Sequence, residues 1–210
     1  MKRIVIVGAG GFGREVEHVI HAINAVTPTW EIMGFVDDTP SGENLQRVEA
    51  LGHRVLGSVD EVLATQPEHF VLGIGSGNPR RILDARFAEA GWSAATLVHP
   101  HTSLGRDVEL GPGTIVCAGV RATTNIRTGR HVHLNLNVTV GHDVTLHDYV
   151  TVNPLVAISG GVEVAAQTLI GTTSAILQNL SVGARSTVGA GAVVTKDVPD
   201  DVIVKGVPAR

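Results

Sequence analysis

From Leu104 to Val194 an aliphatic or small residue returns at every sixth position without an insertion. Leu110, Val116, Ala122, Leu134, Val140, Leu146, Val152, Ile158, Val164, Ile170, Ile176, Val182 and Val188 all fall on this row, and only Thr128 is poorly apolar. A second row lies two positions earlier and includes Val108, Val120, Ile126, Val132, Val138, Val144, Val150, Val156 and Val162. Alternation at period two marks strands, and a return at period six marks equal short strands joined by equal corners. A single hexad cannot bury a core. Three hexads closing a triangular coil stack their inward residues on those eighteen positions away, and stability then comes from coil-to-coil contact. The pattern predicts a parallel β-helix. A β-sandwich would need turns at a spacing of roughly 8–12 residues. Gly or Asn follows the inward aliphatic at Gly105, Gly111, Gly129, Asn135, Gly141, Asn153, Gly171, Gly183 and Gly189. These residue types suit tight corners.

The first hundred residues follow another pattern. Residues 4–7 read as a buried strand, residues 14–23 as a helix, residues 32–36 as a second strand and residues 59–64 as a helix. Residues 70–74 read as a third strand, residues 80–90 as a helix and residues 95–98 as a last strand. Strands alternating with helices imply a parallel α/β sheet. The expected division is an α/β Rossmann-like domain over residues 1–99 and an all-β solenoid over residues 100–210.

Gly8, Gly10 and Gly13 complete G-x-G-x-x-G between the first strand and the first helix. Such a loop brings backbone N–H groups and a helix N-terminus to a phosphate. Asp37 lies near the usual position of a ribose-binding acid. About four strands correspond to one mononucleotide-binding half. A nucleotide-sugar is therefore favoured over NAD, with a purely structural turn as the bland reading.

Composition narrows the field. A net charge of −4 gives no reason to expect nucleic acid or membrane lipid as a partner. Aromatic residues at 3% argue against base-stacking platforms. The single Cys117 excludes an internal disulfide, fits a cytoplasmic location, and is expected on the inward side of its hexad. The four apolar residues before Gly8 make a strand rather than a signal or membrane segment.

Of the histidines, His131, His133, His142 and His147 cluster in the middle coils. His142 follows the corner Gly141, so it is expected to point outward, and Asp143 follows it. An exposed imidazole beside a carboxylate suits a general base.

Gly8-Ala9-Gly10-Gly11-Phe12-Gly13, Phe35-Val36-Asp37-Asp38, Gly141-His142-Asp143 and the terminal Gly206-Val207-Pro208-Ala209-Arg210 occur in this order. Together they resemble the sugar acetyltransferases of the sialic acid O-acetyltransferase type. That group includes the nucleotide-sugar 4-amino N-acetyltransferases and belongs to the hexapeptide-repeat acyltransferases. The resemblance implies a left-handed β-helix, a homotrimer with active sites between subunits, acetyl-CoA as co-substrate, and no metal. It implies His142 as base with Asp143 beside it. Gly10, Gly11, Phe12, Asp37, Asp38, Gly75, Asn78 and Asn135 would hold the nucleotide-linked amino sugar, and Thr151, Gly160, Thr172 and Ala190 the acetyl-CoA. The chain departs from some relatives in having Phe12 and Thr151 where they have His, and Asp143 where Glu is frequent. The expected reaction is direct transfer of acetyl to a 4-amino group, with Gly160 or Gly161 supplying an oxyanion-binding N–H. Acetylation of a sialic acid or other sugar hydroxyl is the alternative.

Two other chemistries remain open. Gly141-His142-x4-His147 resembles the histidine pair of β-helical zinc carbonic anhydrases, although Thr124 and Arg106 occupy the stacked positions of a third ligand. A non-catalytic nucleotide-sugar-binding trimer is the other.

Overall fold

A computed structural model describes residues 1–210. Four strands, β1 (Lys2–Val7), β2 (Trp30–Val36), β3 (His69–Leu72) and β4 (Ser93–Ala94), form a parallel sheet in the order β2-β1-β3-β4. The helices are α1 (Gly11–Val26), α2 (Gly42–Ala50), α3 (Val59–Leu63) and α4 (Gly77–Glu89). Helix α1 buries Gly13, Val16, Val19 and Ile20 on one face. Gly13 is demanded by close packing, because a Cβ there would stand 1.9 Å from the Gly8 carbonyl oxygen. Helix α2 was not expected from the pattern. Its only buried residue is Val48, so it carries almost no apolar stripe. The Ser41 side chain caps it by accepting from the Asn44 N–H.

The remainder is a parallel β-solenoid with three faces of five, seven and six strands. Register confirms the coil length: Thr139 pairs with Ala157, and Ala157 with Ala175, eighteen residues apart each time. The inward rows form a continuous core from Val116 to Val198. Thr128 is accommodated because its hydroxyl accepts from the Gly111 N–H at 3.0 Å and meets the Thr114 hydroxyl at 3.2 Å.

Three expectations need correction. The strand expected at residues 95–98 does not close the α/β sheet. Leu97–Val98 pairs with Ile115–Val116 and begins the solenoid, since Val98 lies one hexad before Leu104. The glycines after the inward aliphatics are not the left-handed corner residues. The left-handed positions fall two residues later, at Asp107, Asn125, Asn137, Asp143 and Gly161 among others. Gly141 and Gly171 are small because a Cβ would stand 2.6 Å and 2.5 Å from backbone nitrogens of the next coil. Cys117 occupies the corner slot, not the solenoid interior. It packs with Ile4, Val16 and Ile20, and burial pushes its thiol up to about 12, with Glu15 adding to the shift. At neutral pH it is an inert apolar group.

The seven-stranded face is the one that the α/β domain covers. On the other two faces the outward strand positions include exposed Thr139, Ala157, Glu163 and Ser181. Here the outward residues Leu97, Ile115, His133 and Thr151 are buried. Helix α1 packs over Leu97 and Ile115, whereas α4 reaches His133 and Thr151 through Arg80 and carries Arg80, Asp84 and Phe87 buried at spacings of one helical face.

Candidate functional site

The Gly-rich loop, the ends of β2 and β3, and α3 enclose a cleft of about 450 Å³. Gly10, Gly11, Phe12, Asp37, Asp38 and Gly75 all line it. This is the edge where the carboxyl ends of parallel strands leave a crevice for ligands. Gly10 is the N-cap of α1 and no side chain caps that end, nor is there an acid in its first turn. The helix N–H groups are therefore free for an anion. Added Cβ atoms at Gly10 or Gly11 would meet nothing within 4 Å, so both glycines face open space. Asp37 holds the loop by accepting from the Ala9 N–H at 2.9 Å and the Thr39 N–H at 3.0 Å. Asp38 accepts from the Val59 N–H at 2.8 Å and so ties α3 to the cleft.

Asn78 is outside this cleft, in a separate depression with Gln167 and Arg185. Asn135 is buried on the solenoid, where its amide donates to the Asn153 side chain at 3.3 Å. The structure does not bring either into the cleft of its own chain.

His142 and Asp143 lie on a solenoid edge, exposed, with His142 Nδ1 at 2.6 Å from Asp143 Oδ2. The shorter acid reaches because Asp143 has φ 60, a conformation that Asp tolerates better than most residues. One coil back, the Asn125 amide donates to the other carboxylate oxygen at 2.6 Å. The Asn125 hydrogen bond, then that of His142, holds the Asp143 carboxyl below the usual carboxylate range. An ionised carboxylate only accepts, so Nδ1 carries a proton, and in the neutral ring Nε2 is the nitrogen with the lone pair. The imidazole lies over Gly160, one coil on. A Cβ at Gly160 would stand 2.5 Å from both Cε1 and Nε2. The Gly161 N–H is engaged with the His142 carbonyl at 2.8 Å, whereas the Gly160 N–H has no partner within the protein.

Thr172 and Ala190 are exposed on a different edge, in one column with Leu136 and Pro154. That edge and the His142 edge border the same six-stranded sheet, one before and one after Thr139–Val140. Thr151 does not fit the acetyl-CoA contact that the resemblance implied. It is 3% exposed, because α4 packs over it. His147 pairs with Glu163 at 2.7 Å, and no group of three His, Cys, Asp or Glu side chains is placed to hold a metal ion.

Arg80 and Asp84 escaped the sequence reading. Asp84 receives hydrogen bonds from Arg130, His131 and Tyr149. Burial opposes its ionisation, but these bonds outweigh it and hold the carboxyl well below the ordinary range. The available signal was two charges at i and i+4 in line with Phe87, on the face where a docked helix should be apolar.

A second cleft of about 380 Å³ adjoins the first through Gly11. Arg14, His18, His99, Ala118 and Leu136 are among its lining residues, so it opens toward the edge that carries Thr172 and Ala190.

Residues 3–86 match the family model described as the PglD N-terminal domain. WeeI from Acinetobacter baumannii AYE is 30% identical, with coverage of 100% of this chain and 99% of that one and a TM-score of 0.88. The acetyltransferase domain of PglB from Neisseria gonorrhoeae FA1090, solved with acetyl coenzyme A, is 28% identical over 100% and 98% of the two chains, TM-score 0.87. PerB from Caulobacter crescentus, solved with CoA and GDP-perosamine, is also 28% identical, over 100% and 97%, TM-score 0.87. Among curated proteins, the galactoside O-acetyltransferase of Escherichia coli K12 is 32% identical over 107 residues, 41% of this chain. The chain spans 53% of the length of that relative. No helix is long and apolar enough to cross a membrane.

Proposed function

We propose, for a chain that belongs to the hexapeptide-repeat nucleotide-sugar acetyltransferases, that it moves the acetyl group of acetyl-CoA to the 4-amino group of a nucleotide-linked sugar. The observation that carries this reading is the His142–Asp143 pair, with Nε2 free, in a chain that also holds an open phosphate-type cleft. The sugar nitrogen attacks the thioester carbonyl as Nε2 of His142 takes its proton. The C–S bond then breaks, and the imidazolium returns the proton to the departing thiolate. Asp143 stabilises the imidazolium meanwhile. The unpaired Gly160 N–H is the donor for the oxyanion, an interaction that elsewhere contributes several kcal/mol. No acyl-enzyme is required.

His142 does not line the nucleotide cleft of its own chain. The site is completed when copies pack their six-stranded faces around a three-fold axis. The His142 edge of one copy then meets the Leu136–Ala190 edge of the next, where the second cleft opens. Exposed Thr139 and Ala157 on that face are small enough for close packing. In this arrangement the α/β domain holds the nucleotide, the second cleft the sugar, and Thr172 and Ala190 the donor.

The direct test is a panel of nucleotide-linked 4-aminosugars and free sialic acids, each incubated with acetyl-CoA and followed by thiol release. Turnover of a 4-aminosugar supports the reading. Turnover of sialic acid alone replaces it with hydroxyl acetylation by the same base.

Two further outcomes are expected. Gly160→Ala should lower kcat by about 10- to 100-fold, because small displacements of a catalytic ring are costly. Steady-state rates at saturating substrates, alongside a melting curve, check this. Incubation with EDTA should leave the rate unchanged. A loss that zinc restores would favour the anhydrase-like chemistry, with His142 and His147 as ligands.

A further inference from the structure

Arg80 is fully buried, yet no carboxylate pairs with it. Its Nη1 donates to the carbonyls of Ile74 and Gly75, both at 3.1 Å, and to Nδ1 of His133 at 2.8 Å. Its Nη2 donates to the Tyr149 carbonyl and to the Thr151 hydroxyl, the latter at 2.9 Å. The Thr151 hydroxyl in turn donates to the Gly75 carbonyl at 2.8 Å. Because a guanidinium has only donors, His133 must accept through Nδ1 and is therefore neutral. Burial, then repulsion from Arg80, keeps His133 well below its ordinary pKa.

The guanidinium thus bridges two structures. On one side are Ile74 and Gly75, which form a wall of the nucleotide cleft. On the other are His133, Tyr149 and Thr151 of the solenoid. His133 also supports a second part of the cleft lining, since its ring centroid lies 4.7 Å from that of Phe12. The 73–78 loop also meets the solenoid backbone directly: a Cβ on Gly77 would stand 2.8 Å from the Tyr149 carbonyl oxygen. An apolar side chain of similar length would fill this space without the cost of burying an unpaired charge. What such a side chain lacks is a planar fork able to grip several acceptors at fixed angles.

We infer that Arg80, with Thr151 and His133, is a positioning bracket for the nucleotide-sugar: it fixes two parts of the acceptor cleft lining against the solenoid of the same chain. Arg80 does not line the cleft, and acts through the 73–78 loop and, by way of His133, through Phe12. The inference rests on the nucleotide-sugar reading for its effect on KM, but not for its effect on the loop.

The test uses the full-length protein and the best acceptor from the panel. Arg80→Met should raise KM for that acceptor about tenfold or more while KM for acetyl-CoA changes less than about twofold. Arg80→Lys should recover only part of the loss, because an ammonium cannot reproduce the fork. Thr151→Val nearly keeps the volume and removes two hydrogen bonds, those with Arg80 and the Gly75 carbonyl, so the acceptor KM should rise about three- to fivefold even if Arg80→Met folds poorly. Hydrogen exchange without substrate should quicken in residues 73–78 in Arg80→Met and Thr151→Val but not in the coils around Gly160. An unchanged acceptor KM with unchanged exchange, or a rise in acetyl-CoA KM alone in Thr151→Val, would overturn the inference. If no panel member is acetylated, the proposed function fails, and exchange in the 73–78 loop still decides the bracket.

Discussion

His142→Ala should lower kcat by about 10²-fold or more, the usual contribution of a positioned general base, while the melting temperature stays nearly constant. The side chain is 65% exposed and fills no core position, so its truncation opens no cavity. What disappears is the bond to Asp143 at 2.6 Å and the free Nε2 above Gly160. Michaelis constants for both substrates should change much less than kcat, since the lost interaction matters at the transition state. A variant that keeps more than a tenth of the wild-type rate with its true acceptor would mean that the base lies elsewhere.

The second large effect belongs to the other end of the chain. Gly11→Val should raise KM for the nucleotide-sugar about tenfold or more, with KM for acetyl-CoA within about twofold. The backbone accepts the change, because a Cβ at Gly11 meets no atom within 4 Å and no left-handed conformation is involved. The new methyl groups instead occupy the space that a ligand needs beside the α1 N-terminus. Asp38→Ala should act in the same direction. It is the less clean variant because Asp38 also holds the Val59 N–H at the start of α3. Varying each substrate against fixed amounts of the other separates the two constants. Equal damage to both would show that acceptor and donor sites are not separable.

Much of this molecule is legible in one dimension because the solenoid is periodic. The inward rows, strand length and coil length follow from a repeat that each residue joins locally. The phase even contained the first solenoid strand, since Val98 stands six before Leu104. It was obscured by the α/β pattern that precedes it. The corner glycines were legible as residues but not as causes. Only the next coil shows that Gly141 avoids a backbone nitrogen and that the left-handed turn falls on Asp143. The reach of Asp143 to His142 likewise depended on that turn. Least legible was the interface that carries Arg80 and Asp84. Their partners on the solenoid stand 46 to 71 residues away, and no local rule favours burying charge in a helix face. Helix α2 was missed for the opposite reason, because so little of it is buried.

Because each coil lies on the next with a pitch of eighteen residues, closeness along the chain and closeness in energy come apart. Asn125 touches Asp143, Asn135 touches Asn153, and Gly160 supports His142. Residues six apart occupy equivalent places in the repeat but different edges of the prism. Paired substitutions eighteen apart are therefore the ones whose effects should fail to add. Pairs such as Asp143 and Tyr149, alike in register and both left-handed, should behave as strangers. Variation in this protein is best followed down its columns: a change beside the base is tolerated or refused by the coil above and the coil below before its neighbours in sequence are involved.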